Sequence, residues 1–238
     1  SDGIMVARGD LALESGPGEL TGLQKNIIKQ TVKGKKVAIT ATQMMESMIN
    51  NPSPTRAEMT DVSNAVLDGS DAVMLSAETA IGKYPAETVE AMHEVCIGAE
   101  SYHQSISKKE EFKYSEVQNI DEAIALSSMS IARNMGIKAI IALTESGSTA
   151  LMLSRIRSDI PIYAFTRNEV TQRRVSLYRG VISFPYPFLA DNLSQVLDDI
   201  REQMLHSDVL NAGDLIIVTS GSPLKVPGGT NSLRLITI

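Results

Sequence analysis

Three short apolar segments of this chain each run directly into residues that can bind ligands. The residues that follow them are Ala7–Asp10, Thr40–Gln43 and Ser76–Thr79. Because ligands of parallel α/β folds bind at the carboxyl ends of the strands, we expect the three clusters to face one mouth. Their carboxylate and hydroxyl oxygens suit a hard cation and an anionic substrate. None of the clusters contains His, which disfavours a zinc site.

Each cluster taken alone also has a purely structural interpretation. A Gly-Asp pair after a strand commonly forms a turn, and Ser or Thr at a strand end often caps the next helix. The occurrence of three such clusters after three successive strands favours the functional interpretation. The sequence therefore predicts a ligand site built from strand ends.

The elements that must position these clusters alternate between short apolar runs and longer amphipathic stretches, a pattern typical of strand–helix units in a parallel sheet. Each predicted strand is apolar on both faces, as expected where helices enclose the sheet. Three such units cannot close a barrel of eight, so they form either an open sheet or the end of a barrel. The predicted strands are Gly3–Val6, Val37–Thr40 and Ala72–Leu75, and the predicted helices are Glu19–Lys33, Thr55–Leu67 and Pro85–Glu100.

A polar stretch at residues 101–119 predicts a connection between two domains, 1–104 and 105–238. The second domain has the pattern of a small α/β sandwich. Its predicted helices are Asp121–Met135, Thr149–Arg157 and Asn192–Leu205, and its predicted strands are Ala139–Leu143, Ile162–Phe165, Gly180–Phe184, Leu215–Val218 and Leu233–Thr237.

The composition excludes several classes of partner. The 28 acidic side chains outnumber the 22 basic ones, giving a net charge of −6 that repels nucleic acid. The single Cys96 can form neither an internal disulfide nor a thiolate metal site, which suits a reducing cytoplasm. No apolar run approaches the ~20 residues that span a bilayer, so we expect no membrane partner and no signal peptide. The start at Ser1, without Met and just before a predicted strand, leads us to expect a truncated product.

Five segments that cover most of residues 1–90 resemble the pyruvate kinase family, of bacterial type. They are Ser1–Leu11 (SDGIMVARGDL), Ala41–Met48 (ATQMMESM), Pro54–Glu58 (PTRAE), Asn64–Gly69 (NAVLDG) and Asp71–Ala80 (DAVMLSAETA). The second half resembles the family's last domain less strongly. The resemblance implies a C-terminal fragment: the last three βα units of a TIM (β/α)8 barrel, followed by the C-terminal α/β regulatory domain.

The resemblance also implies roles for the residues after the first strand. Asp10 is similar to the carboxylate that binds the divalent metal, Mg2+ or Mn2+, which neutralises charge on the enolate. Gly9, with the backbone N–H groups of Ala7 and Arg8, is implied to hold the substrate carboxylate at a helix N-terminus. Glycine at that position lets the backbone approach a ligand closely.

Thr42 and Ser76 are the residues that the resemblance implies for catalysis. Thr42 is similar to the threonine that contacts the substrate and takes part in proton transfer, and Ser76 is implied to order water nearby. The implied reaction is the glycolytic transfer of phosphate from phosphoenolpyruvate to ADP, which gives pyruvate and ATP. The family implies K+ as a second cofactor and a cytoplasmic homotetramer.

Two parts of the family's catalytic machinery have no counterpart in this sequence. They are a lysine that stabilises phosphoryl transfer and an acid that is the second metal ligand, both on an earlier strand. Phosphoryl transfer depends on positioning and charge stabilisation. We therefore expect these 238 residues alone to show no measurable pyruvate kinase activity.

A hydroxyl-rich turn in the second half predicts a phosphate site. It follows a strand and precedes a helix, so it offers unpaired N–H groups at a positive helix terminus. The resemblance implies an allosteric loop here for a sugar phosphate or a nucleotide monophosphate, and a second loop at Gly221–Thr230 that supplies Lys225. Family members often have Arg where this chain has Ser148, which removes a bidentate phosphate donor. The predicted effector-binding residues are Thr144, Ser146, Gly147, Ser148, Thr149 and Lys225.

Several alternatives remain open at this point. The turn after the strand Ala139–Leu143 can also be a capped helix without a ligand. Arg56 can either pair with an acid at a subunit interface or be a solvated arginine at a helix start. The chain as a whole can be part of an enzyme, an effector-binding module or an assembly fragment with exposed barrel edges.

Overall fold

A computed structural model of the chain describes residues 1–16, 18–107, 117, 119–188, 192–222, 224 and 228–238. The chain forms two compact units, Ser1–Glu110 and Glu111–Ile238. The predicted division after residue 104 stays a prediction. The predicted α/β class is confirmed in both units, because parallel strands alternate with helices in each.

The first unit holds three parallel strands in the order β1-β2-β3, with β2 in the centre. Their carboxyl ends are aligned, since Ala7 is in register with Ala41, and Ala41 with Met74. The elements are β1 (Gly3–Ala7), α1 (Arg8–Ser15), α2 (Leu20–Lys33), β2 (Val37–Ala41), a 3-10 helix (Glu46–Ile49), α3 (Arg56–Asp68), β3 (Ala72–Met74), α4 (Ala77–Ala80) and α5 (Pro85–Ser107). That these three units are the last of eight in a barrel stays a prediction.

Local sequence signals account for the limits of α3. Thr55 and Glu58 form a reciprocal capping box at its start, which satisfies two backbone donors. Gly69, with φ of 114°, ends the helix in a left-handed conformation and donates its N–H back to Ala65 and Val66. The helix therefore has a fixed beginning and a fixed end, between which lie the carboxylates of Glu58 and Asp61.

The prediction that each strand is buried on both faces was only partly correct. In β2, four of the five residues are buried. In β1, however, Ile4 and Met5 are 42% and 51% exposed within the part of the chain that the structure describes. The difference follows from pairing, because β1 is hydrogen-bonded to β2 alone and lies at the edge of this sheet.

The second unit is built on a five-stranded sheet in the order β6-β5-β4-β7-β8, in which only β8 runs antiparallel to its neighbour. All residues of β4 and β5 are buried, so helices cover both faces of the sheet centre. The elements are α6 (Ile120–Asn134), β4 (Ala139–Leu143), α7 (Ser148–Arg155), β5 (Ile162–Thr166), α8 (Glu169–Val175), β6 (Val181–Pro185), α9 (Leu193–His206), β7 (Leu215–Gly221) and β8 (Thr230–Thr237).

The core of this unit lies between α9 and one face of the sheet. Ile200 and Met204 of α9 are fully buried against Ile141 and Val218. Phe165 stacks on Phe184 with ring centroids 5.2 Å apart. Among the described helices of both units, none is long and apolar enough to cross a bilayer.

Candidate functional site

The predicted site residues of the first unit lie where the three aligned strands end. Ala7 is the last residue of β1, and Gly9 and Asp10 belong to the first turn of α1. Thr42 comes directly after β2, and Ser76 lies two residues beyond β3. The structure brings Gly9 and Thr42 into contact, since the Gly9 N–H donates to the Thr42 hydroxyl over 3.2 Å.

Thr42 and its neighbour Gln43 have left-handed backbone conformations, with φ of 68° and 56°. This region is unfavourable for residues with a Cβ atom, by roughly 1–2 kcal/mol each, and least suited to a β-branched one. Two such residues in succession indicate a turn that is held by its surroundings. The turn directs the Thr42 hydroxyl toward the first turn of α1, where it accepts the N–H of Gly9.

The side chain of Arg8 makes several of the contacts that stabilise the turn at Thr42 and Gln43. Its side chain is buried and its Nη2 donates to the backbone oxygens of Thr42 and Gln43, both over 2.7 Å, while Nε donates to Thr42 over 3.1 Å. Its Nη1 forms an ion pair with Asp61 of α3. The guanidinium is thus occupied by the protein, and the predicted substrate contact of Arg8 through its backbone N–H stays a prediction.

The third strand end contains a buried acid, Glu78, which belongs to the predicted cluster Ser76–Thr79. Glu78 is only 2% exposed and lies in the short helix α4. Its carboxylate accepts the backbone N–H of Ser76 over 2.7 Å. The backbone of the half-buried Ser76 is therefore held by the carboxylate of Glu78, two residues later in the chain.

Glu58 is a second acid that sequence reasoning placed only within a family motif. Its Oε1 accepts the N–H of Ser47 over 2.7 Å, and its Oε2 accepts the Ser47 hydroxyl over 2.6 Å and the Thr55 N–H over 2.8 Å. Burial raises the pKa of Glu58, but the hydrogen bonds from Ser47 and Thr55 outweigh burial and lower the pKa below its ordinary value. Glu58 thus ties the segment after β2 to the start of α3.

The donor set for a divalent cation is incomplete among the described residues. Asp10 is exposed on the first turn of α1 and can offer carboxylate oxygens. Within the described parts of the chain, no three His, Cys, Asp or Glu side chains are grouped so as to hold a metal ion. A cation held by Asp10 would take its other ligands from substrate, water or other protein groups, as is common for Mg2+.

Arg56 is the first residue of α3 and is exposed. This position fits both of its predicted roles, a pairing partner at an interface and a solvated side chain. The role of Arg56 stays a prediction.

In the second unit, short-range hydrogen bonds shape the turn after β4. Gly147, with φ of 83°, caps α7 and donates its N–H to the Thr144 hydroxyl over 2.9 Å. The Ser148 N–H donates to the Ser146 hydroxyl over 3.4 Å. A Cβ on Gly147 would lie 2.8 Å from Cγ1 of Val175, so only glycine fits here.

This turn and the predicted second loop meet at one pocket of ≈ 360 Å³, a volume that includes open solvent. The Thr149 hydroxyl lies 2.5 Å from that of Thr230, which joins the two loops. Two of the predicted effector residues, Ser146 and Gly147, do not line the pocket but form hydrogen bonds within the turn. Lys225 falls outside the described residues. The lining consists of Leu143, Thr144, Glu145, Ser148, Thr149, Phe188, Gly221, Leu224, Gly228 and Thr230.

Glu145 adds a negative charge to the pocket wall that the sequence analysis did not consider. Its side chain is largely buried and pairs with the half-exposed Arg167 over 3.2 Å. Its backbone oxygen accepts the Thr171 hydroxyl over 2.7 Å. The carboxylate opposes an anionic ligand, whereas Arg167 beside it offsets that charge. The pocket is thus polar, hydroxyl-rich and close to neutral at this wall.

Comparisons with known proteins identify relatives that match both units. The model of the pyruvate kinase barrel domain matches residues 1–89, and that of the pyruvate kinase alpha/beta domain matches residues 122–236. The chain is 49% identical to pyruvate kinase II of Salmonella typhimurium and 52% identical to a pyruvate kinase of Buchnera aphidicola from Schizaphis graminum, over its full length in both cases. The crystal structure of a pyruvate kinase from Cryptosporidium parvum superimposes with a TM-score of 0.87 at 37% identity.

The chain spans about half the length of the proteins it matches. It covers 49% of both bacterial relatives and 47% of the Cryptosporidium chain, while all of its own residues are aligned in each case.

Proposed function

Since this chain belongs to the pyruvate kinase family, we propose that it forms part of a glycolytic enzyme that transfers the phosphoryl group of phosphoenolpyruvate to ADP. The observation that carries the proposal is the contact between Gly9 and Thr42 at adjacent strand ends. Parallel α/β enzymes bind substrates at this edge of the sheet. The products would be pyruvate and ATP.

The chain's own groups have distinct tasks in this proposal. The Gly9 N–H is bound to the Thr42 hydroxyl, so the substrate carboxylate would take its hydrogen bonds from the other N–H groups at the start of α1, such as that of Arg8. The Thr42 hydroxyl can accept the Gly9 N–H and still donate its own proton, because a hydroxyl has one donor and two acceptor positions. Thr42 therefore takes part in proton transfer to the enolate, and Ser76 orders water beside it.

Asp10 would contribute one oxygen ligand to Mg2+ or Mn2+. When bound, such a cation supplies charge stabilisation for the enolate and the transferred phosphoryl group. We further propose that the enzyme requires K+, acts in the cytoplasm and assembles as a homotetramer. These last properties rest on family membership alone.

The proposed reaction can be tested by joining the chain to the part of a relative's sequence that it does not match. Residues 1–238 alone are expected to convert no phosphoenolpyruvate and ADP above background, because one carboxylate leaves the metal shell incomplete. Joined to the part of Salmonella typhimurium pyruvate kinase II that this chain does not match, they should turn over in a coupled pyruvate assay. A folded fusion protein without turnover would overturn the proposal.

A matched pair of threonine variants tests the assigned residue in that fusion protein. Thr42→Val removes the hydroxyl and should lower kcat by roughly 10²–10⁴-fold, the usual contribution of general acid–base catalysis. Thr21→Val, on the exposed face of α2, makes the same change away from the strand ends and should leave kcat unchanged. Equal rates in both variants would exclude Thr42 from the reaction.

A second proposed function is effector binding, favoured by the meeting of two predicted loops at one pocket. A sugar phosphate or nucleotide monophosphate would take its hydrogen bonds from Ser148, Thr144 and the start of α7. Glucose 6-phosphate or AMP at 100 times its Kd should stabilise the chain by about 2.7 kcal/mol, seen as a raised Tm. No shift at millimolar concentration would favour a capped turn without a ligand.

Serine variants separate binding in this pocket from binding elsewhere. Ser148→Asp places a second carboxylate in the lining and should abolish the Tm shift. Ser194→Asp adds the same charge at the exposed start of α9 and should preserve the shift. Oligomerisation without turnover or ligand stabilisation would instead favour an assembly role.

A further inference from the structure

Helix α3 fixes both ends of the segment that follows β2. Two of its acids, Glu58 and Asp61, are three residues apart and so lie on one face of the helix. Glu58 binds the backbone N–H and the hydroxyl of Ser47, at the far end of the segment. Asp61 acts at the near end through its ion pair with Arg8.

Arg8 connects α3 to the turn at Thr42. Its planar guanidinium binds the carbonyl oxygens of Thr42 and Gln43 with Nη2 and Nε while Nη1 faces Asp61. Its Nη2 also lies 3.1 Å from the sulfur of Met44. A rigid fork with five donors can make these contacts together, whereas the point charge of a lysine cannot.

The two carbonyl groups bound by Arg8 belong to the two residues with left-handed conformations. The hydrogen bonds thus act on the peptide planes whose orientation is unfavourable without support. Asp61 neutralises the guanidinium, which is 8% exposed at its side chain, and so allows it to be buried. The same turn places the Thr42 hydroxyl against the Gly9 N–H.

We propose that Arg8, held by Asp61 of α3, is a positioning residue that keeps the Thr42 hydroxyl in place beside the N–H of Gly9. Its meaning for catalysis rests on the proposed function, in which Thr42 contacts the substrate. Arg8 acts through Thr42, and its side chain binds no substrate. Its position in the turn is a property of the chain alone and can be measured without turnover.

Hydrogen exchange of the Gly9 amide in the 238-residue chain tests the structural part. Arg8→Lys and Asp61→Asn should each speed exchange at Gly9 by about tenfold, while amides of the β1–β2 ladder keep their rates. Asp68→Asn is the matched control, because it changes the same residue type on the same helix, where Asp68 pairs with Lys25. Unchanged exchange at Gly9 in both Arg8→Lys and Asp61→Asn would overturn the proposal.

Asp61→Asn keeps the test valid if Arg8→Lys fails to fold, since it leaves the guanidinium and its carbonyl contacts available. Thr42→Val provides the reference for a lost acceptor. Thr42→Val should speed exchange of the Gly9 amide at least as much as Arg8→Lys or Asp61→Asn does. A Gly9 amide that exchanges as fast in the unmodified chain as in Thr42→Val would also contradict the proposal.

Turnover of the fusion protein tests the catalytic part. Arg8→Lys should lower kcat by tenfold or more and change the KM for ADP by less than twofold. In a Thr42→Val background the same substitution should lower kcat by less than twofold, because Arg8 acts only through Thr42. Additive losses would overturn the role. If the unmodified fusion protein is inactive, the proposed function fails, and the Gly9 exchange data still decide the positioning.

Discussion

The turns after β2 and after β4 solve the same structural problem in different ways. Each follows a buried parallel strand and turns through a left-handed conformation. After β4 the left-handed residue is Gly147, and its N–H bonds to Thr144, three residues away. After β2 the left-handed residues include Thr42, which is held by Arg8, 34 residues away in the sequence. The left-handed residue after β4 is thus held by a neighbour in its own turn, whereas those after β2 are held by a charged residue far away in the sequence.

The cores beside the two turns also differ, in the kind of side chain that fills them. In the first unit, Met44, Met45 and Met48 are fully buried around the segment after β2. In the second, aromatic rings stack beside β4 and β5, as with Phe165 and Phe184. Methionine adapts its shape readily, whereas stacked rings have defined geometry. The polar contacts of Arg8 and Glu58 thus fix the conformation of the segment after β2, which a methionine-rich core alone would not fix.

The largest expected effect tests the dependence of the β4 turn on glycine. Gly147→Ala should destabilise the second unit by about 2–3 kcal/mol, because it adds left-handed strain to a clash with Val175. Accelerated hydrogen exchange at β4 amides would measure this loss of stability.

Gly213→Ala is the matched control for this change. Gly213 also has a positive φ, of 95°, but nothing lies within 4 Å of an added Cβ. Its replacement should cost only the strain, about 1–2 kcal/mol. Equal losses at the two positions would show that the clash with Val175 is relieved by movement.

A smaller effect is expected when the link between the 3-10 helix and α3 is removed. Glu58→Gln should destabilise the first unit by about 1–2 kcal/mol at pH 7, because a charged capping box and two bonds to Ser47 are weakened. Urea denaturation followed through amides of α3 measures this change.

The pH dependence of the same variant has a defined sign. The pKa of Glu58 in the folded chain lies below its ordinary value of 4.5. Its contribution to stability is therefore complete above 4.5 and is lost as the pH falls through the lower, folded pKa. Glu58→Gln should reduce the acid sensitivity of α3 amides, and Glu90→Gln, on the exposed face of α5, should not.

The smallest expected effect is a gain. Gln43→Gly should stabilise the first unit by about 0.5–1 kcal/mol, because glycine relieves the left-handed strain and keeps the carbonyl that Arg8 binds. Gln30→Gly, at an exposed position inside α2, should destabilise it by a similar amount. A loss at both positions would mean that the Thr42 turn is not strained.

The sequence predicted the regular elements of both units closely, because their patterns are local. The strand Ala139–Leu143 was predicted with the bounds that the structure shows, and Pro85 was correctly placed at the start of α5. The short helices α4 and α8 were missed, since four and seven residues with many polar side chains show no apolar stripe, and a helix start at α1 was implied only by the resemblance.

The candidate site was less predictable for a physical reason. Gly9 and Thr42 could be placed near each other because parallel strand ends align. The partners Asp61 and Glu145 could not be identified, because their contacts join residues far apart in the sequence and depend on how helices pack. No local spacing encodes an ion pair between residues 53 positions apart.

The hydroxyl pair of Thr149 and Thr230 links sequence change at two remote positions. The two side chains are buried and 2.5 Å apart, so one hydroxyl donates a hydrogen bond to the other. Loss of one hydroxyl removes the hydrogen-bond partner of the other, whereas loss of both leaves two methyl groups in contact. Replacement of both threonines by valine is therefore tolerated, whereas replacement of only one leaves a buried hydroxyl without this hydrogen bond and is disfavoured. Across homologues the two positions should change together.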